Sequence, residues 1–188
     1  MSQSIRRAVI TALALICMTA ALRPSAAIAQ DVSIPSLKAA FLMNFVKFAE
    51  WPAGSVPAGR PFAFCVIGDK AVFKELEASI TRNSRPDLMS VSEMPADGAV
   101  HACQLIYLGG SDLAAPRRVL GALQNAPVFT ASDVRGFAEA GGIVELRLEK
   151  AKMRLWINPA AAQRARIALS AKLLSLATLV KEPSHDGR

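Results

Sequence analysis

The chain has 188 residues, of which 52% are hydrophobic, and its 22 Lys and Arg outnumber its 15 Asp and Glu, for a formal net charge of +7. The basic residues are spread along the chain and no aromatic residues are interleaved with a basic run, so nucleic-acid binding is not indicated. There are only two histidines and no G-x-S-x-G, P-loop or H-E-x-x-H motif, so the sequence predicts no catalytic residue, no cofactor and no enzyme.

Residues 1–29 have the pattern of a cleaved signal peptide. A basic MSQSIRR is followed by an apolar run over residues 8–22 and by Ala27-Ile28-Ala29, a small-x-small cleavage site. The run is shorter than the roughly 20 residues that cross a bilayer, and Cys17 follows the large Ile16, so a permanent anchor and a lipoprotein are both less favoured. We therefore predict an exported mature protein, and cleavage lowers the formal charge by three.

The first element of the mature chain is a predicted helix over residues 36–51, with Ser36 as N-cap and Pro52 as stop signal. Its aromatic stripe predicts packing on a core, while Lys47 and Glu50 point away. The alternative is that Trp51 and the exposed end of the stripe take part in a groove for a partner or ligand. The stripe consists of Leu37, Phe41, Phe45 and Phe48.

The middle of the chain alternates between apolar strands and amphipathic helices, which predicts a parallel sheet with crossing helices. The predicted elements are a strand over 62–67, a helix over 70–81, a short strand over 88–94, a strand over 103–108, a helix over 112–124 and a strand over 126–132.

The carboxyl third is different in kind. Segments 143–149 and 152–158 alternate apolar and polar residues around a Lys150-Ala151 turn, which predicts an antiparallel hairpin. Asn158 then caps a predicted helix that runs to Pro183 with its leucines on one stripe, and residues 183–188 form a disordered tail. The fold class is a single three-layer α/β domain over residues 30–182, with a mostly parallel sheet, a C-terminal antiparallel hairpin and flanking helices.

Two cysteines remain after cleavage, Cys65 and Cys103, and both lie toward the amino ends of predicted strands. An even pair in an exported chain predicts one disulfide, which neighbouring parallel strands would allow. His101 and Cys103 could form half of a metal site, but zinc needs three or four ligands, so no metal is predicted.

Acidic and hydroxyl side chains follow three predicted parallel strands. Open α/β sheets bind ligands at these carboxyl ends, so the side chains could hold a cation or a cationic small molecule. The alternative is that they cap the following helices. A phosphate acceptor would also need a lysine at a later strand end, and none is obvious. The predicted ligand rim consists of Asp69, Ser111, Asp112 and Asp133.

Several segments resemble the YfiR family of periplasmic proteins, DUF4154, over about Leu37 to Val180. They are KAAFLMNFVKFAEWP, FCVIGD, CQLIYLGGSD and the block from VFTASDVRGFAEAGGI to SAKLLSLATLV. The resemblance implies a non-catalytic regulator that binds the periplasmic domain of an inner-membrane diguanylate cyclase, holds it inactive and is released by envelope or redox stress. It implies a possible homodimer and the disulfide between Cys65 and Cys103. A second cysteine pair found in some relatives near the late hairpin is absent here.

The predicted function is repression of an inner-membrane sensor, a diguanylate cyclase or a sensor kinase, through its periplasmic domain. The candidate partner-binding residues are Trp51, Arg135 and Phe137, the last two within the loop 135–142. The alternative is a periplasmic sensor or carrier that binds a small ligand at the rim.

Overall fold

The protein is described here by a computed structural model that covers residues 33–83 and 87–181. The predicted signal peptide, 1–29, and the predicted tail, 183–188, lie outside the described residues. Within the described part, no helix has both the length and the apolar character needed to cross a membrane.

The first helix, α1, spans Ile34–Phe48 and differs at both ends from the prediction of 36–51. Ser33 rather than Ser36 is the N-cap, since its hydroxyl accepts the Ser36 N–H. The helix ends early because the next two residues form a short strand, β1 (Ala49–Glu50), which pairs antiparallel with β8 (Ala168–Leu169). Hydrogen bonds to a second segment therefore replace the last helical turn.

The alternation predicted for the middle of the chain is confirmed. The strands over 62–67, 105–108 and 129–132 are rich in β-branched and aromatic residues and are largely buried on both faces, as parallel strands covered by helices are. The edge strand over 89–93 is more exposed. The elements are β2 (Phe62–Ile67), α2 (Lys70–Arg82), β3 (Met89–Glu93), a 3₁₀ turn (Val100–Ala102), β4 (Leu105–Leu108), α3 (Ala114–Leu123) and β5 (Phe129–Ser132).

The hairpin is confirmed as β6 (Val144–Glu149) and β7 (Lys152–Ile157), which pair antiparallel. The turn residues Lys150 and Ala151 both have positive φ, 48° and 60°. Two successive left-handed residues are the geometry of a type I′ turn, whose twist matches that of the strands it joins.

The single C-terminal helix predicted from Asn158 to Pro183 is wrong. The chain instead forms α4 (Pro159–Arg164), β8, α5 (Ala171–Ser175) and β9 (Thr178–Leu179). Arg166, with φ 57°, turns the chain out of the helix. The cause is a set of contacts with distant segments. β8 pairs with β1, and β9 pairs with part of β7. A continuous helix could not supply the hydrogen bonds that these strand edges need.

The main sheet has seven strands in the order β3-β2-β4-β5-β6-β7-β9. The pairs from β3 to β6 are parallel, β6 and β7 are antiparallel, and β9 is parallel to β7. The chain leaves β2 for β3 on one side and then returns to β4 on the other, so the strand order reverses at β2 and β4. A reversal of this kind opens a crevice at the carboxyl ends of the two strands.

Successive strand residues face opposite layers of core, as the two-residue period of a strand requires. Phe64, Leu105 and Tyr107 join the layer that contains α1 and α2, while Cys65 and Ile106 join the layer that contains α3. This arrangement confirms the three-layer α/β class.

Candidate functional site

The carboxyl end of the sheet holds a partly buried cluster of opposite charges. The Lys38 ammonium donates to Asp133 Oδ2 at 2.6 Å and to Asp69 Oδ2 at 3.2 Å. The three side chains are 12%, 27% and 19% exposed, in the order Lys38, Asp133, Asp69. Ion pairs this sheltered are screened much less than surface pairs, so the lysine fixes α1 over the ends of β2 and β5.

The cluster forms because three elements end or begin at this edge. Lys38 lies near the start of α1, Asp133 directly follows β5, and Asp69 follows β2 after Gly68. Gly68 has φ 77°, and a Cβ there would come within 2.6 Å of the Gly109 carbonyl oxygen, so no larger residue fits between the ends of β2 and β4.

Tyr107 lies beneath the lysine, whose Nζ is 5.7 Å from the ring centroid. The Tyr107 hydroxyl and Asp133 Oδ1 are both buried, and neither has a hydrogen-bond partner among the residues the structure describes. Burial, followed by the negative charges of Asp133 and Asp69, raises the pKa of Tyr107 far above its ordinary value. The phenol is therefore neutral at any physiological pH and keeps its proton as a donor beside two carboxylates.

The predicted rim is thus only partly assembled. Asp69 and Asp133 meet, and the cation between them is Lys38 of the same chain. Ser111 and Asp112 are exposed, and Asp112 Oδ1 accepts the Ala114 N–H two residues on, which is an Asx-turn that leads into α3. Asp69 also caps, since its Oδ1 accepts the Val72 N–H. Among the described residues, no group of three or more His, Cys, Asp or Glu could hold a metal.

A cavity of about 240 Å³ adjoins the cluster. Charged side chains line one part of it and apolar side chains the rest. It is lined by Ile34, Lys38, Asp133, Arg135, Leu146, Arg147, Leu148 and Met153. Arg135 is exposed, as a residue that contacts other molecules must be.

Phe137 does not share that exposure. Its side chain is fully buried in the core layer of α3, so the structure removes it from the predicted partner-binding surface. The loop around it is held by buried acceptors: the Gly136 and Ala138 N–H groups donate to Glu145 Oε2 at 3.1 Å and 3.3 Å. Asn158 Nδ2 donates to the Ala138 carbonyl at 2.8 Å. The loop is a fixed part of the fold.

Sequence reasoning did not single out the ion network behind this loop. Arg147 Nε donates to the fully buried Glu145, and a second guanidinium nitrogen lies 3.2 Å from Glu139. The guanidinium also stacks 4.1 Å from the Trp156 ring centroid. The hydrogen bond to Glu145 is the main cause that raises the pKa of Arg147. Glu145 and Arg147 are two residues apart on one strand and so share a face of the sheet. This spacing was the sequence signal that could have predicted the ion pair.

Trp51 is half-buried and contributes to the core. Its ring packs edge-on against Phe62, with centroids 4.9 Å apart, and its Nε1 donates to the Gln104 carbonyl at 3.0 Å. Only the remaining edge of the indole is available to a partner.

The predicted disulfide is confirmed. Cys65 on β2 and Cys103, just before β4, are bonded with their Cα atoms 5.9 Å apart. Both residues are only 2% exposed, so the bond is shielded from reductants in solution.

A second concave surface is lined partly by the aromatic stripe of α1, for which a partner or ligand groove was the predicted alternative, although Trp51 does not line it. We call it the α1/α5 groove, a cavity of about 280 Å³ between these helices with Leu155 of β7 contributing to its lining. Leu176 at its edge is 70% exposed. The predicted long C-terminal helix, which the structure does not contain, would have placed this leucine on a buried stripe. The groove is lined by Phe41, Asn44, Phe45, Phe48, Leu155, Lys172, Leu173 and Leu176.

Comparison with known protein families identifies the family of this chain. The profile of DUF4154, described as YfiR/HmsC-like, matches residues 35–178, which include both surfaces described above. The chain belongs to the YfiR/HmsC-like family. Members of this family are periplasmic regulators rather than catalysts, so this YfiR/HmsC-like protein is of the regulatory kind.

Solved structures agree with the fold. The crystal structure of a conserved domain protein from Vibrio cholerae O1 biovar eltor str. N16961 aligns with a TM-score of 0.56 and 13% identity. The alignment covers 79% of this chain and 60% of that one, so the YfiR/HmsC-like chain spans about three fifths of its length. At this identity the likeness shows the fold alone.

A more distant structure is the ABC domain from Streptococcus pneumonia in complex with L-Trp. It has a TM-score of 0.47 and 9% identity, and the alignment covers 68% of this chain and 58% of that one. This likeness is too weak to carry an argument. No protein of curated function matches the sequence.

Proposed function

We propose that the mature protein represses an inner-membrane signalling protein, a diguanylate cyclase or a sensor kinase, by binding its periplasmic domain. The observation that carries this proposal is the family match over residues 35–178, since the family consists of periplasmic regulators.

The charge cluster supports a role in binding by giving the fold a fixed surface. Lys38 and Asp69 are each engaged by other groups of the chain. The arrangement fixes α1 in place and so presents a rigid outer surface. Rigid surfaces lose less entropy on association and suit a protein that acts by contact.

The mechanism we propose is a population shift. The protein binds the inactive conformer of its partner more tightly than the active one, and its loss releases the enzyme. Moving a partner from almost fully inactive to almost fully active takes about 5.5 kcal/mol of differential affinity. An interface of standard size, roughly 1,600 Å² in total, can supply this.

The test is capture followed by reconstitution. Tagged mature protein is mixed with solubilised inner membranes, and captured proteins are identified. A recovered cyclase is then placed in vesicles, and its synthesis of cyclic di-GMP is measured with and without the mature protein on the periplasmic side. We expect the protein to lower the rate in proportion to occupancy. Capture of no membrane signalling protein, or an unchanged rate at saturation, would refute the proposal.

One observation favours a second candidate, a sensor or carrier for a small ligand. The cavity of about 240 Å³ is lined by Asp133, whose Oδ1 lacks a partner among the described residues, and by the exposed Arg135. A metabolite with a hydrogen-bond donor and an anionic group would satisfy both. A rise in melting temperature with such a metabolite, lost in Arg135→Ala, together with no captured membrane protein, would favour this function over repression.

A further inference from the structure

The α1/α5 groove is apolar and accessible. Phe41, Phe45 and Phe48 recur at the spacing of one helix face and form one wall, while Leu173 and Leu176 form the other. Leu176 is 70% exposed, and Leu179 on the neighbouring β9 is 56% exposed. Adjacent exposed leucines beside an aromatic groove form an apolar patch of the kind that marks an interaction site.

The groove is also preformed. The Ser170 N–H donates to the Phe48 carbonyl at 2.9 Å, which ties the start of α5 to the end of α1. The Lys172 ammonium lies 5.6 Å from the Phe48 ring centroid and joins the two walls a second time. Because both walls are tied together, a partner would not have to order them first.

The charge at the groove has one sign. Among the described residues that line it, Lys172 is the one charged residue, and none is Asp or Glu. A second copy docked symmetrically at this groove would bring its own Lys172, so the charge argues against self-association here and for an acidic occupant.

From these observations we propose that the α1/α5 groove binds an acidic amphipathic helix of the membrane partner, apolar face inward. This inference rests on the proposed function and names the surface that would carry it. A groove between two helices takes anchors of a helix at i, i+3 or i+4, and i+7. Acidic residues on the flank of that helix would meet Lys172.

Two substitutions test the surface. Leu176→Asp places a charge at the edge of the groove, and Lys172→Glu reverses the charge of its wall. The matched control is Leu88→Asp, since Leu88 is a leucine of comparable exposure, 50%, that lies just before β3 and lines neither the groove nor the cavity of about 240 Å³. Circular dichroism and urea midpoints show whether each full-length mature variant is folded, and we expect all three to be, because the residues replaced are exposed.

The first readout is affinity for the cyclase captured by the wild-type protein, measured in detergent. We expect Leu176→Asp to weaken binding at least about tenfold, the loss typical of a hot spot, and Leu88→Asp to leave it within about twofold. Wild-type binding that Leu176→Asp does not change would overturn the groove and leave the proposed function standing. No binding by the wild-type protein would overturn the proposed function itself.

The second readout isolates the chemistry of the occupant. Two synthetic helices share one leucine face and carry either glutamate or lysine on the polar face, and each is titrated with the mature protein. We expect the glutamate helix to bind at least about tenfold more tightly, and Lys172→Glu to remove most of that preference. Equal binding of the two helices would overturn the proposal. So would tighter binding to phosphatidylglycerol vesicles than to the glutamate helix, since the occupant would then be a lipid surface.

Discussion

Replacing Lys38 with methionine should destabilise the fold by leaving two carboxylates close together without their cation. Removing one partner of a fully buried ion pair costs about 3–5 kcal/mol. The partners here retain 12% to 27% exposure, and water screens part of that cost, so we expect a loss of about 1–3 kcal/mol in the free energy of unfolding. In a domain of this size, each kcal/mol lowers the melting temperature by about 2–4 °C.

Urea unfolding of the mature protein measures this loss as a lower midpoint at an unchanged slope. The control is Lys47→Met, because Lys47 is exposed on the same helix and should change stability by no more than about 0.5 kcal/mol. A combined Lys38→Met, Asp69→Asn and Asp133→Asn variant should recover most of the loss, since asparagine still caps α2 and leaves no unpaired charge. If Lys38→Met were no more destabilising than Lys47→Met, the cluster would not hold α1.

Three further predictions follow from buried groups. Tyr107 is the chain's only tyrosine, and its pKa is raised in the folded state. Its contribution to stability is therefore complete below about pH 10 and falls by up to about 1.4 kcal/mol per unit above it; phenolate absorbance that appears at pH 10 before unfolding would contradict this. Replacing both disulfide cysteines with alanine should cost up to about 4 kcal/mol of unfolding free energy, by the chain-entropy relation for a separation of 38 residues; an unchanged urea midpoint would show that the bond adds nothing. Gly142→Ala should destabilise by more than about 2 kcal/mol because the new methyl overlaps the Phe137 ring, whereas Gly121→Ala, in open space on α3, should stabilise by about 0.5–1 kcal/mol; similar thermal melts for the two variants would refute this.

The parts of the fold that sequence reasoning predicted are those with local signals. Residues 62–132 alternate strand and helix with clear periods, and the hairpin has a turn at Lys150-Ala151 with polar and apolar residues alternating on both sides. The part it missed, after Arg164, is decided by distant partners. Leu169 to Leu179 have the spacing of a helix, yet the open edges of β1 and β7 draw this segment into two strands. The residues of this segment alone cannot indicate that strand edges elsewhere in the chain need partners.

The candidate site was also predicted only in part: its two aspartates were, and its lysine was not. Strand ends placed Asp69 and Asp133 at one edge, because parallel strands finish together. The lysine between them comes from a helix before the sheet, so looking for it at a later strand end could not find it. One wall of the α1/α5 groove, the aromatic stripe, was a predicted alternative. The other wall was missed because a leucine on a helical stripe suggests burial, and only the broken helix leaves Leu176 exposed.

The tie between Lys38 and Asp133 joins positions 95 residues apart. Helix α1 is therefore held by groups synthesised long after it, and its end is held by residues near position 170. Until those residues are synthesised, the aromatic side of α1 has no core to pack against. We expect the domain to complete its folding only when nearly all of the chain is free.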